Sequence, residues 1–143
     1  MLSITEPYKT ILADEIAFVC KKMDGESDIR KKVYYYSAVH AMIQRIFNID
    51  PNFDRQLVFM FTVLFASYGQ MRARTDQIIA GDTLIIPPEN FFDKISIYLQ
   101  QLENKIRNNE DTYIILEKIA VSANLLEGNG YYLHQKGWMN LPE

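Results

Sequence analysis

Residues 51–80 read PNFDRQLVFMFTVLFASYGQMRARTDQIIA, and this stretch decides the fold. A stripe of Phe53, Leu57, Met60, Leu64, Tyr68, Met71, Thr75 and Ile78 recurs in steps of three and four, the spacing of one helix face. Pro51 opens the helix and Gly81 closes it, which predicts about 45 Å of helix at about 1.5 Å per residue, long enough for a break near Gly69. The run LVFMFTVLFASY, from Leu57 to Tyr68, is about a dozen residues long, against the roughly 20 that span a bilayer. It reads as core. A surface helix is apolar on one side only, yet Val58, Phe59, Val63 and Phe65 lie behind the stripe. Either the helix is central and covered by its own chain, or another copy covers its second face. Four helices of a short chain do not easily bury one of their number, so the expectation is a homo-oligomer through Leu57–Ala73. Ala66, Gly69 and Ala73, spaced three and four apart, form a groove that lets another backbone approach, which gives Gly69 a role without a kink.

The same periodicity extends outward on both sides. A first helix over about residues 5–24 places Tyr8, Leu12, Ile16, Val19 and Met23 on one face, with Pro7 in its first turn. Gly25 follows as a C-terminal cap, with Lys21 and Lys22 in the last turn. A second, over about 27–48, carries Ile29, Val33, Tyr36, His40, Ile43 and Phe47, the 3.5-residue seam of a left-handed bundle. Ser27 or Asp28 caps its start. A fourth, over about 89–108, repeats the seam with Phe92, Ile95, Leu99, Leu102 and Ile106. Asn109 is expected to cap a fifth, whose stripe is Leu116, Ile119, Ala123 and Leu126 and which Gly128 and Gly130 stop. The tail from Tyr131 allows a short sixth helix. The fold expected is all-α, a left-handed antiparallel four-helix bundle with five to six helices in total. The connections at 24–27, 48–51 and 108–110 are short and imply antiparallel neighbours. The longer Gly81–Pro88 segment, with extended Thr83–Ile86, is the candidate for one crossover connection along the bundle.

Composition bounds the function. The 143 residues are 48% hydrophobic and 23% charged, which suits one globular domain over 1–143. One Cys excludes a disulfide framework and every multi-cysteine metal site. A net charge of −3 argues against general nucleic-acid binding. The start, MLSITEPYKT, has no basic region followed by an apolar stretch, so no signal peptide and a cytoplasmic location are expected. No membrane partner is expected, while a protein partner is compatible.

No reactive constellation emerges. A di-iron bundle needs a Glu three residues before a His on two helices, but Ser37 precedes His40 and Tyr131 precedes His134 at that spacing. No metal and no cofactor are therefore expected, and no phosphate loop or nucleophile elbow exists. His40 is expected to be a neutral core residue satisfied by a Tyr hydroxyl or a carbonyl, and Cys20 a small buried hydrophobe. Among Tyr34, Tyr35 and Tyr36, only Tyr36 should be core. Arg72 and Asp76 are spaced for a helical pair. Arg72 and Arg74 end an uncharged stretch and are candidates to hold an anion or a neighbouring subunit's carboxylate.

The stretch LIIPPENFFDKISIYLQQLENKIRNN, from Leu84, followed by a helix through SANLLE, resembles the end of the PduO-type cobalamin adenosyltransferases. That family has an extended ILPGG segment, an Arg-rich helix and a last helix with YLNRLSD. The resemblance implies a ferritin-like left-handed four-helix bundle, usually trimeric. The whole chain also resembles a small uncharacterised archaeal family placed beside that fold. Pro87–Pro88–Glu89 stands where the family has Pro-Gly-Gly, Lys94, Lys105 and Arg107 stand in for its Arg-rich helix, and only Asn124 echoes the last motif. The leading expectation is a non-catalytic self-associating bundle that acts as a structural or partner-binding module. The alternative is a diverged nucleotide- or cobalamin-binding bundle with its site between subunits near Arg72, Arg74, Lys94 and Arg107.

Overall fold

The computed structural model describes residues 2, 4–50, 54–81, 91–126 and 136–137. They hold five helices and no strand: α1 (Tyr8–Asp24), α2 (Ile29–Ile49), α3 (Arg55–Ile79), α4 (Phe91–Arg107) and α5 (Tyr113–Asn124). Phe53, the Thr83–Ile86 stretch, Pro87, Pro88, Gly128, Gly130 and the tail helix lie outside the described residues.

The helices start and stop for identifiable reasons. The Asp28 carboxylate accepts from the Arg30 N–H at 2.9 Å and caps α2, so the acid rather than Ser27 takes that role. The buried Asp54 carboxylate accepts from the Leu57 N–H and starts α3. Gly81, at φ +78°, ends α3 in the left-handed region that favours glycine. Asn109 differs from expectation. It has φ +56° and its N–H bonds back to the Ile106 carbonyl, so it closes α4 rather than opening α5. The cap on α5 comes from Asp111, whose carboxylate accepts from the Tyr113 N–H at 2.8 Å. An acid two residues before the first N–H fits that geometry, and Asn109 is too far upstream to reach it.

The helices close into a ring in the order α1, α2, α3, α5, α4, each packing on two neighbours. Arg30 meets Asp76, Tyr36 meets Ser67 and Phe47 meets Phe61, so α2 and α3 run in opposite directions. Cys20 lies beside Ser96 and Asp14 pairs with Arg107, so α1 and α4 do too. By contrast, Gln56 accepts from the Thr112 hydroxyl, Phe59 meets Tyr113 and Gln70 bonds Asn124. Hence α3 and α5 are parallel, where the sequence pattern leads one to expect antiparallel neighbours. The difference arises because α5 is inserted between α3 and α4. The ends of α1 and α3 share one end of the bundle with the starts of α2 and α4, through Lys32 to the Met23 carbonyl, Arg30 to Asp76 and Ser96 to Asp24. The connection from α3 to α4 therefore leaves and returns at the same end. A crossover along the length is not required, because α4 runs opposite to α3.

The inward faces form one hydrophobic cluster, with Leu12, Ile16, Ile43, Met60, Leu64, Leu99 and Ile119 fully buried. On α2 the buried stripe is Val33, Tyr36, Val39, Ile43 and Ile46, rotated slightly from the seam expected, which leaves His40 and Phe47 on the flank that faces α3. Tyr36 is buried and shares a 2.7 Å hydrogen bond with Ser67. The Ser67 hydroxyl is also within reach of the Leu64 carbonyl at 3.1 Å. Tyr36→Phe should therefore cost only about 0.5–1.5 kcal/mol, since the Ser67 hydroxyl keeps a partner. Leu64→Ala should cost about 2–5 kcal/mol through the cavity it leaves. Urea unfolding of the two variants against the parent checks both values.

Candidate functional site

Each neighbour of α3 takes one flank of it. Toward α2 lie Phe61, Phe65 and Tyr68, which surround His40. Toward α5 lie Gln56, Phe59 and Gln70. The two alternatives for the reverse of α3 are thus divided between its residues. Val63 is buried and Phe59 packs on Tyr113 at 5.1 Å, so the chain itself covers that side. Val58 is 40% exposed and Phe65 is 54% exposed.

The outermost face is a seam. Arg55, Val58, Thr62, Phe65, Gly69, Arg72 and Asp76 step by three and four along α3, and all are exposed. Ala66 and Ala73 flank them and are exposed as well. No charged residue occurs from Leu57 to Met71. Other exposed apolar residues sit among charges: Phe18 has Lys22 over its ring at 5.4 Å, and Ile114 is close in sequence to Glu117 and Lys118. The helix runs through Gly69 without a break, and a Cβ there would meet nothing within 4 Å. Neither a kink nor close packing inside the described chain calls for that glycine.

At the upper end of the seam, Arg30, Val33, Tyr34, Tyr68, Arg72, Thr75 and Asp76 line an open cleft of about 400 Å³. Asp76 accepts from Arg30 at 2.9 Å, not from Arg72 as the helical spacing suggested. Arg72 instead donates to the Tyr68 hydroxyl at 3.2 Å. Both ions of the Arg30–Asp76 pair are mostly exposed, so it adds little stability. The cleft lining holds no nucleophile beside a base.

The four basic candidates do not converge. Arg72 is exposed on the seam, and Arg74 is half-buried with a hydrogen bond to Gln77. Lys94 is exposed near the start of α4, and α3 and α4 are not principal neighbours. Arg107 is about 20 Å further along α4, at about 1.5 Å per residue. It is held by Asp14 at 2.8 Å and Glu103 at 2.7 Å, which raise its pKa. Within one copy the four are therefore spread over separate parts of α3 and α4, which leaves the expected site, one between subunits, to association of copies.

His40 departs from expectation. Both of its ring nitrogens are shielded from solvent and neither has a hydrogen-bond partner. The ring lies among Phe61, Phe65 and Tyr68 at 5.1–6.2 Å between centroids. Neither a Tyr hydroxyl nor a carbonyl, the two kinds of partner expected from the sequence, reaches it; the nearby Tyr68 hydroxyl accepts from Arg72. Burial lowers the His40 pKa and keeps the ring neutral. The Cys20 thiol is buried, points to the Ser96 carbonyl at 3.6 Å and is pushed up to about 12 by burial and by Asp24, so it is unreactive at neutral pH. Among the described residues no group of His, Cys, Asp and Glu is arranged to hold a metal, and no helix is long and apolar enough to cross a membrane.

In comparisons with known proteins, no family model, no curated protein and no solved structure matches this chain.

The depressed pKa of His40 has a definite consequence for stability. In the unfolded chain a histidine titrates near 6.5, and in the fold it titrates lower. Between those two values the unfolded chain holds the extra proton, so stability falls as pH drops. The contribution of neutral His40 is complete above about pH 6.5 and declines below it. The urea midpoint of the parent should fall more steeply between pH 7.5 and 5.5 than that of His40→Leu. Equal slopes would contradict an unfavourable site for the charged ring.

Proposed function

We propose that this protein is a self-associating helical-bundle module, structural or partner-binding, without a catalytic centre of its own, whose copies meet through the outer face of α3. One observation carries this reading. The run from Leu57 to Met71 carries no charge, its seam residues Val58, Thr62, Phe65 and Gly69 are exposed, and none of the described residues packs where a side chain at Gly69 would begin. A glycine in the middle of a helix costs roughly 0.5–1 kcal/mol relative to alanine. A second helix against the Ala66, Gly69 and Ala73 groove accounts for that cost, because small residues let two backbones approach closely. Burial of Phe65 and Val58 against a partner supplies the driving force, at about 25 cal/mol per Å² of apolar surface removed from water.

The finer architecture belongs to the same reading. Seams near 3.5 residues on α2 and α4 support left-handed supercoiling of the four-helix kind, with α5 as an added member. The nucleotide- or cobalamin-binding alternative draws on Arg72, Arg74, Lys94 and Arg107. Arg107 is already neutralised by two carboxylates at the far end of α4, which favours the association reading.

Sedimentation velocity at micromolar concentration tests it. The parent should sediment as an oligomer and Gly69→Leu mainly as a monomer. The same variant should unfold at equal or higher denaturant, because leucine is the better helix former by about 0.8 kcal/mol. A monomeric parent would refute the proposal. So would a Gly69→Leu protein that assembles like the parent.

A further inference from the structure

The geometry points to one orientation for the partner: a second copy of this chain lies antiparallel on α3, with the twofold axis between Phe65 and Ala66. This rests on the self-association reading and adds the register.

The pattern of sizes and charges along the seam supplies the reasons. Arg55 and Asp76 mark its two ends and are both exposed. In an antiparallel pair about that axis, Arg55 of each copy stands opposite Asp76 of the other. The Asp76 side chain is 80% exposed even while it accepts from Arg30, so it can take a second guanidinium. Size alternates in the same way. Phe65 falls opposite Ala66, Thr62 opposite Gly69 and Val58 opposite Ala73, a larger side chain against a smaller one at each of these three levels. Helical side chains lean toward their own N-terminus, which carries the Phe65 ring over the space between the other copy's Ala66 and Gly69. An isologous contact of this kind closes on itself and gives a dimer, not a filament.

Parallel packing in register does the reverse. It sets Arg55 on Arg55 and Asp76 on Asp76, opposing like charges, and makes the two Phe65 rings lean the same way onto each other, whereas in the antiparallel pair they lean apart. The Arg55–Asp76 pairs are surface pairs, so they select orientation more than they add affinity.

Cysteine pairing reads the register directly. A disulfide needs Cα atoms about 4.4–6.8 Å apart. In the antiparallel dimer Thr62 faces Gly69, whereas Thr62 lies about 10 Å along the axis from its own counterpart, and so does Gly69, at about 1.5 Å per residue. Thr62→Cys and Gly69→Cys proteins, one carrying a mass tag, are oxidised mildly alone and as an equal mixture. Cys20 stays silent, being buried with its pKa pushed up to about 12. The expected result is a disulfide-linked mixed dimer at least tenfold more abundant than the linked dimer of either variant alone. Strong linkage of either variant alone overturns the register. So does an absence of linkage while sedimentation still shows dimers, and that result leaves the self-association reading standing. Monomers of both variants and of the parent overturn the two together.

Discussion

The hydroxyls of Tyr36 and Ser67 meet at 2.7 Å in the buried contact between α2 and α3. Buried polar groups left without partners are costly, so this bond pins one helix against the other in rotation and in register. With that register set, Leu57, Met60, Leu64 and Met71 turn inward and are buried. Val58, Thr62, Phe65 and Gly69 are thereby turned out. Had the helix been rotated by one residue, Phe65 would enter the core and the seam would vanish. Sliding it by one turn would carry Arg30 away from Asp76 and break the ion pair at the end of the contact.

Much of the fold was legible in the sequence, because burial follows the helical period. The inward residues of α1, namely Leu12, Ile16, Val19 and Met23, are all buried as their spacing implies. So are Ile95, Leu99, Leu102 and Ile106 of α4. The second apolar side of α3 was legible too, since Val58, Phe59, Val63 and Phe65 exceed what one stripe needs. The division of those four was not. Which of them α5 covers depends on a parallel α3–α5 contact that no local pattern encodes. The caps show a similar limit. Asp54 and Asp111 act through side-chain geometry at a specific offset from the first free N–H, and several acids nearby offer plausible alternatives.

The candidate site was partly legible. The groove of Ala66, Gly69 and Ala73 and the uncharged run around it come straight from residue identity. The partners of the polar residues do not. Asp76 chooses Arg30 from another helix over Arg72 one turn away, because α2 starts where α3 ends. His40 ends without a hydrogen bond because its ring is set among the rings of Phe61, Phe65 and Tyr68 with no polar group presented to its nitrogens. Both outcomes depend on which helix ends share a level, and spacing within one helix says nothing about that. Both also put polar groups beside the seam: Arg72 and Asp76 lie on it, and His40 packs against Phe65 at 5.2 Å.

The place of α5 in the ring affects how the chain can assemble. Pairs α1–α2 and α2–α3 are hairpins of consecutive helices and need only short loop closures. The α1–α4 contact joins distant parts of the chain, and it leaves a slot between α3 and α4. Helix α5 is the stave that fills the slot, bringing Leu116, Ile119 and Ala123 to the common core. Without α5, α3 would lack cover on the side where Phe59 and Val63 sit. Helix α5 thus covers one apolar side of α3 as well as adding its own residues to the core.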